Sequence, residues 1–216
     1  VDHLDRHETI TKYKKAKLKI FNFLKSSGIG FYQKKSFPNL KKIKNIRNFS
    51  NINKLLIQKI INNKNILMSE INLRENKLPH RYEMFCKINN FNFINDSKST
   101  NFDSLIYALS KYENAILICG GILKDKKFKV LDKHLKKVKK IYVFGEKTKP
   151  WSRYFSKIKP TISVRTLDDV VPKISEDLKK GKYQNILFSP GASSFDQYQN
   201  FEDRGNHFNK LFRRLI

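Results

Sequence analysis

The stretch that decides the fold is residues 115–121, which read AILICGG. Its first five residues are apolar without interruption, which is typical of a strand buried on both faces of a sheet. Similar apolar runs follow at residues 141–144 and 186–188, and helix-period patterns separate them. Strands that alternate with helices predict parallel crossovers and an open α/β sheet. Ligands of such sheets bind at the carboxyl ends of the strands.

The remaining elements are predicted outward from this core by periodicity and turn residues. Further strands are expected at residues 82–88, 91–95 and 162–164. Helices are expected at residues 9–24, 51–62, 102–109, 128–138, 151–158, 167–178 and 201–215. Pro79 disfavours helix at the residue before it, so it marks a boundary between residues 1–77 and 78–216.

The composition restricts the class of protein. The 216 residues carry a net charge of +26, and 39% of them are hydrophobic, which is enough for a core. Nine of the 45 basic residues are Arg, so 36 are Lys, spread over the whole chain. This even spread favours a biased composition over a nucleic-acid interface, although a basic nucleic-acid-binding module remains the alternative.

Membrane, secreted and zinc-binding classes are not indicated. The apolar runs are too short to span a bilayer, and no secretion signal opens the chain. The two cysteines, Cys86 and Cys119, form no metal-binding or disulfide pattern. We therefore expect a cytoplasmic protein without membrane partners.

Three loops at strand ends combine residues that suit an anionic ligand. The loop after Asn95 contains Asp96 and Lys98. Its Thr100 and Asp103 are also compatible with a helix capping box. Cation, hydroxyl groups and the positive end of a helix together favour a phosphorylated or carboxylated ligand.

The other two loops have small residues that let a ligand approach the backbone. The loop after Cys119 continues with two glycines and reaches Lys124, although an ordinary strand-ending turn explains the glycines equally. The loop after Phe188 exposes backbone N–H groups among small residues, and Ser193 or Ser194 is a candidate helix cap.

Lys17 stands in the apolar stripe of the first predicted helix, whose other members are Ile10, Tyr13, Ile20 and Leu24. A buried amine must find a partner, lose its proton or react, for instance with carbon dioxide to form a carbamate. The alternative is a lysine whose head extends along the surface to solvent. We expect the Lys17 head in a pocket near His3 and not freely in solvent.

Several motifs together resemble the Mur ligase family. They lie at residues 2–7, 16–17, 78–81, 95–101 and 189–205. The last three resemble the member of the family that adds D-glutamate to UDP-N-acetylmuramoyl-L-alanine. The resemblance implies ATP and Mg²⁺ as cofactors, an acyl-phosphate intermediate, peptidoglycan precursor synthesis and a monomeric enzyme without nucleic-acid partners.

The resemblance also implies a role for individual residues. His3 and a carbamylated Lys17 would hold magnesium, and Lys17 and Lys98 would serve the phosphoryl transfer. The residues implied at the nucleotide are Asn48, Asn51, His80, Arg81 and Asp96. The residues implied in the D-glutamate pocket are Thr100, Lys124, Ser194, Phe195 and Phe201.

The family's UDP-binding domain and phosphate loop are not found in these residues. The resemblance therefore implies a carboxyl-terminal part of the ligase. Residues 1–77 would be the remainder of the α/β ATP-binding central domain, and residues 78–216 the Rossmann-like last domain. We expect no amide-bond formation by these residues alone. A detached ligand-binding domain is a further alternative.

Overall fold

The computed structural model describes residues 8–23, 25, 31–32, 44–45, 78–88, 90–124 and 127–214. The chain divides into two compact units, Val1–Glu75 and Asn76–Ile216. Among the residues described, no helix has both the length and the apolar character needed to cross a membrane.

The described residues of the first unit include the helix α1 (Ile10–Leu18), which continues as a 3₁₀ turn at Lys19–Phe23. Thr9 caps the helix, since its hydroxyl accepts from the Lys12 N–H at 3.1 Å. Two short parallel strands follow, β1 (Phe31–Tyr32) and β2 (Lys44–Asn45). The helix predicted at residues 51–62 lies outside the described residues.

The second unit is built on one six-stranded sheet, in the order β3-β4-β8-β5-β6-β7. Its strands are β3 (Glu83–Ile88), β4 (Phe91–Asn95), β5 (Ala115–Gly120), β6 (Val138–Phe144), β7 (Thr161–Ser163) and β8 (Asn185–Phe188). Five strands are parallel, and β3 runs antiparallel to β4 at one edge. This confirms the open, mostly parallel α/β sheet.

Both faces of the sheet are covered, as the uninterrupted apolar strands require. The helices are α2 (Phe102–Lys111), α3 (Lys149–Phe155), α4 (Val170–Lys179) and α5 (Phe201–Arg213). One core contains Leu105 of α2 and Trp151 of α3, packed on Leu117 and its neighbours. The opposite core contains Ile174 of α4 and Phe208 of α5, packed on Ile116 and its neighbours.

One predicted helix is wrong. Residues 128–138 form two short 3₁₀ turns, Phe128–Leu131 and Leu135–Lys137, and Val138 begins β6. Val138 pairs with Ala115 in the sheet, although its apolar spacing predicted a position on the helix. Phe128 stays buried without a helix because Trp151, Tyr154 and Phe155 surround its ring.

Candidate active site

The loops after β4, β5 and β8 meet at one edge of the sheet because these strands are neighbours in the order β4-β8-β5. The Ile122 and Ser193 backbones exchange two hydrogen bonds of 3.0 Å, which join the loop after β5 to the loop after β8. Gly121 has a positive φ of 112°, and a Cβ there would lie 2.3 Å from the Ser193 carbonyl oxygen. Only glycine therefore allows this close approach.

Asp96 joins the loop after β4 to β8. Its N–H donates to the Phe188 carbonyl at 2.7 Å, and Ser189 Oγ donates to its Oδ2 at 2.7 Å. The side chain is buried. Burial raises the pKa of Asp96 to about 7, against the opposing effects of the Ser189 hydrogen bond and the charges of Arg81 and Arg204.

Arg204 of α5 forms hydrogen bonds to two of the loops at this edge. Its side chain is wholly buried, and its guanidinium donates to Ser97 Oγ at 3.1 Å, Ser97 O at 2.8 Å and Ala192 O at 3.1 Å. Burial lowers the pKa of Arg204 to about 10, while the charge of Asp196 acts in the opposite direction. The guanidinium thus remains charged at neutral pH and fixes two of the three loops to one helix.

Lys98 and Phe201 lie in direct contact. Lys98 Nζ stands 3.5 Å from the centre of the Phe201 ring, a distance suited to a cation–π interaction. The Phe201 carbonyl also accepts from Ser97 Oγ at 2.7 Å. The predicted phosphate lysine and one predicted D-glutamate residue therefore share one location.

The other predicted D-glutamate residues flank the joined loops. Thr100 is half-buried, Ser194 is buried, and Lys124 and Phe195 are exposed. Two local interpretations were wrong. The helix cap is Asn101, whose Oδ1 accepts from the Ser104 N–H at 2.9 Å, and not Thr100. Ser193 and Ser194 cap no helix, since α5 begins at Phe201 behind the Asn200 cap.

The predicted nucleotide residues are placed in part. His80 is buried, with Nδ1 3.1 Å from Asn95 Nδ2, whereas Arg81 beside it is exposed. Asp96 is buried against Ser189, as described above. Asn48 and Asn51 lie outside the described residues.

The burial expected for Lys17 is wrong. Lys17 is exposed, with Nζ 5.1 Å from the centre of the Tyr13 ring. No residue of α1 is buried, and Ile10 and Ile20 are 47% and 69% exposed. The apolar spacing was real, but the described residues provide no surface that covers it. His3 lies outside them, and within them no three His, Cys, Asp or Glu side chains form a metal-binding group.

For two residues of the site, the sequence predicted no individual role. Asn95 ends β4 and contacts His80, and Arg204 ties the loops together. The signal for Arg204 was present, because the buried face of α5 places it in register with apolar residues. These residues are Phe208, Leu211 and Phe212.

A cavity of about 460 Å³ lies beside this edge, over the ends of β6 and β7. Gly145, Glu146 and Arg165 are among its lining residues. The loop after β8 borders it, because the Glu146 N–H donates to Asp196 Oδ2 at 3.4 Å and Gln197 Nε2 donates to Arg165 O at 2.8 Å. The residues predicted to bind ligands are not among those that line it, so we assign it no role in the candidate site.

The family model described as the Mur ligase middle domain matches residues 1–116, more than half of the chain. The chain therefore belongs to the Mur ligase family. The match continues beyond the first compact unit, through β3, β4 and α2 of the second.

Three of its curated relatives carry one particular name, UDP-N-acetylmuramoylalanine–D-glutamate ligase. The protein of Thermotoga petrophila is 30% identical and that of Buchnera aphidicola subsp. Schizaphis graminum 34% identical, in each case over 99% of this chain. The protein of Chlorobium limicola is 40% identical over 64% of the chain and 29% of its own length. The chain spans 57% of the Thermotoga relative and 58% of the Buchnera relative.

Proposed function

We propose that this chain is part of an enzyme that joins D-glutamate to UDP-N-acetylmuramoyl-L-alanine with the energy of ATP, in cytoplasmic peptidoglycan precursor synthesis. Family membership and the shared name of the relatives support this proposal. The observation that carries it is the junction of the loops after β4, β5 and β8. Two of these loops carry family motifs and the third carries Lys124, and they serve one site only if they meet.

The D-glutamate pocket lies at this junction in our proposal. The Lys124 ammonium pairs with a carboxylate of D-glutamate, and backbone N–H groups near Ser194 bind a second carboxylate oxygen. Thr100, Phe195 and Phe201 complete the pocket. The bridge between Ile122 and Ser193 supports this assignment, since it brings the segments of Lys124 and Ser194 side by side.

The nucleotide and the reacting phosphate lie next to this pocket in our proposal. Lys98 stabilises the phosphoryl group during transfer to the carboxylate of the UDP-linked substrate. The D-glutamate amine then attacks the acyl phosphate, a C–N bond forms, and phosphate leaves with the C–O electron pair. The contact between Lys98 and Phe201 supports a phosphate site beside the pocket.

His80, Arg81 and Asp96 contact the nucleotide in this proposal, together with Asn48 and Asn51. Mg²⁺ would supply charge neutralisation at the phosphates. His3 and a carbamylated Lys17 are its proposed ligands. Lys17 is exposed and does not form a metal site by itself.

Binding of D-glutamate tests the proposal directly. Calorimetric titration of the chain should give a measurable affinity for D-glutamate and at least about tenfold less for L-glutamate, because once both carboxylates are bound the two enantiomers direct the amine differently. Lys124→Met should weaken D-glutamate binding about tenfold or more, since it removes a charge-assisted hydrogen bond. Lys136→Met, an exposed lysine outside the loops, is the matched control. Equal affinity for the two enantiomers, or binding unchanged by Lys124→Met, would contradict the proposed pocket.

A further inference from the structure

The side chain of Asn95 has an orientation that two backbone groups fix. Its Oδ1 accepts from the Ser97 N–H at 3.0 Å, and its Nδ2 donates to the Gly205 carbonyl at 2.9 Å. A backbone N–H can only donate and a carbonyl can only accept. The amide oxygen and nitrogen therefore cannot be exchanged without loss of both hydrogen bonds.

This orientation determines which nitrogen of His80 carries the proton. Asn95 Nδ2 has two hydrogens for three neighbours, Gly205 O, Asn209 Oδ1 at 2.7 Å and His80 Nδ1 at 3.1 Å, so its contact with His80 is a shared hydrogen bond. An amide nitrogen offers only donors, so His80 Nδ1 is favourable there only as an acceptor. The proton of the neutral ring is then on Nε2.

Glu83 is the group that would favour the opposite arrangement. Its Oε2 is 4.0 Å from His80 Nδ1, which is beyond hydrogen-bond length. The same oxygen accepts from the backbone N–H of His80 at 2.9 Å. Glu83 therefore holds the backbone of His80 and leaves Nδ1 to Asn95.

The imidazole is also held in place by packing. A Cβ added at Gly205 would lie 2.4 Å from His80 Nδ1, so α5 contacts the ring directly. The His80 carbonyl accepts from the Lys98 N–H at 3.0 Å, which ties the histidine to the loop after β4. Within the described part of the chain, Nε2 has no hydrogen-bond partner.

We propose that Asn95 is a positioning residue that holds His80 in the Nε2–H tautomer, so that His80 presents a hydrogen-bond donor. This inference rests on the proposed function for its purpose, because His80 is a proposed nucleotide contact. The atom of the nucleotide that His80 meets is then an acceptor, a phosphate or ribose oxygen or an unprotonated ring nitrogen.

Long-range proton–nitrogen correlation NMR of the isotope-labelled chain at neutral pH tests the tautomer without any ligand. In the Nε2–H form the protonated nitrogen correlates with both ring carbon protons, and the unprotonated nitrogen chiefly with Hε1. The His80 signals are identified by their loss in His80→Gln. We expect the Nε2–H pattern, favoured about tenfold or more because the other tautomer places donor against donor.

Asn95→Asp provides the diagnostic variant. A carboxylate oxygen replaces the amide donor, so the proton should move to Nδ1 and the pattern should reverse or show both nitrogens protonated. His207, whose Nδ1 lies 2.9 Å from the Tyr198 hydroxyl, should keep its own pattern and serves as the internal control. Asn209→Ala leaves the contact between Asn95 and His80 in place and should keep the wild-type His80 pattern.

An unprotonated Nε2 or an even tautomer mixture in the wild type would overturn the inference, and so would an unchanged His80 pattern in a folded Asn95→Asp. If Asn95→Asp does not fold, the wild-type and Asn209→Ala spectra decide. Addition of ATP separates this inference from the proposed function. The Nε2–H pattern without any effect of ATP would count against the nucleotide site but leave the tautomer assignment intact.

Discussion

Gly205 lies inside α5, where alanine would ordinarily stabilise the helix by about 1 kcal/mol. We predict the opposite effect for Gly205→Ala. The new Cβ would lie 2.4 Å from Nδ1, 2.7 Å from Cγ and 2.8 Å from Cε1 of the His80 ring. The ring is buried and hydrogen bonded to Asn95, so it cannot move without loss of that contact.

The expected magnitude follows from three opposing contributions. Overpacking costs about 1–3 kcal/mol, and loss of the buried hydrogen bond costs about 1 kcal/mol. The gain in helix propensity offsets about 1 kcal/mol. The net loss in the free energy of unfolding is therefore about 1–3 kcal/mol. With a denaturant dependence of about 2 kcal/mol per molar urea, the midpoint should fall by roughly 0.5–1.5 M.

The background of His80→Gly makes the test specific. His80 has a positive φ of 60°, which glycine adopts without strain, so this change removes the ring and keeps the backbone. Gly205→Ala in the His80→Gly background should be neutral or stabilising by up to about 1 kcal/mol. Asn206→Ala, at the adjacent exposed helix position, should change stability by no more than about 0.5 kcal/mol. Equal or higher stability of Gly205→Ala in the wild-type background would refute the reasoning.

Three further outcomes are expected. Arg204→Met should lower the free energy of unfolding in urea by about 2–4 kcal/mol, because carbonyls of two loops lose a buried donor; no loss would contradict the tethering role. Burial raises the pKa of Asp96 to about 7, above about 3.9 in the unfolded chain. The stability that protonated Asp96 contributes is therefore complete below about pH 4 and declines as the pH rises to about 7. Denaturation across this range should show that Asp96→Asn flattens the decline by roughly 2–4 kcal/mol, and an unchanged pH profile would refute this. Asp177→Ala should cost about 3–5 kcal/mol by the same assay, because Lys140 Nζ at 2.7 Å and the Tyr142 hydroxyl at 2.6 Å lose their common acceptor; a change below about 1 kcal/mol would be incompatible with that cluster.

The sequence predicted the sheet well because its central strands are uninterrupted apolar runs, which burial on both faces requires. Residues 115–119 are apolar at every position, and a strand covered on both faces requires this. The same reasoning failed for residues 128–138, where Phe128 is buried by rings that are distant in sequence. A helical spacing of apolar residues does not exclude short turns when tertiary contacts bury the same side chains.

The location of the candidate site was predictable from the sequence, whereas most of the hydrogen bonds within it were not. Strand order places the three loops together, and strand ends were visible in the sequence. The hydrogen bonds from Asn95 to Gly205 and from Arg204 to Ser97 were not predictable, because each joins residues more than one hundred positions apart. The cap at Asn101 was a local choice between two adjacent residues, and only the backbone geometry decides it.

The central position of β8 has a consequence for biosynthesis. This strand separates β4 from β5 in the sheet, yet it follows both in the chain and pairs with each of them. While a ribosome is still adding residues before Asn185, β4 and β5 each have an unpaired edge of the kind that promotes association between chains. Insertion of β8 satisfies both edges at once and brings the loop that contains Ser194 to its partners. The proposed D-glutamate pocket is therefore completed only when the last strand and α5 have emerged, so a nascent chain is expected to bind D-glutamate no earlier than it closes its sheet.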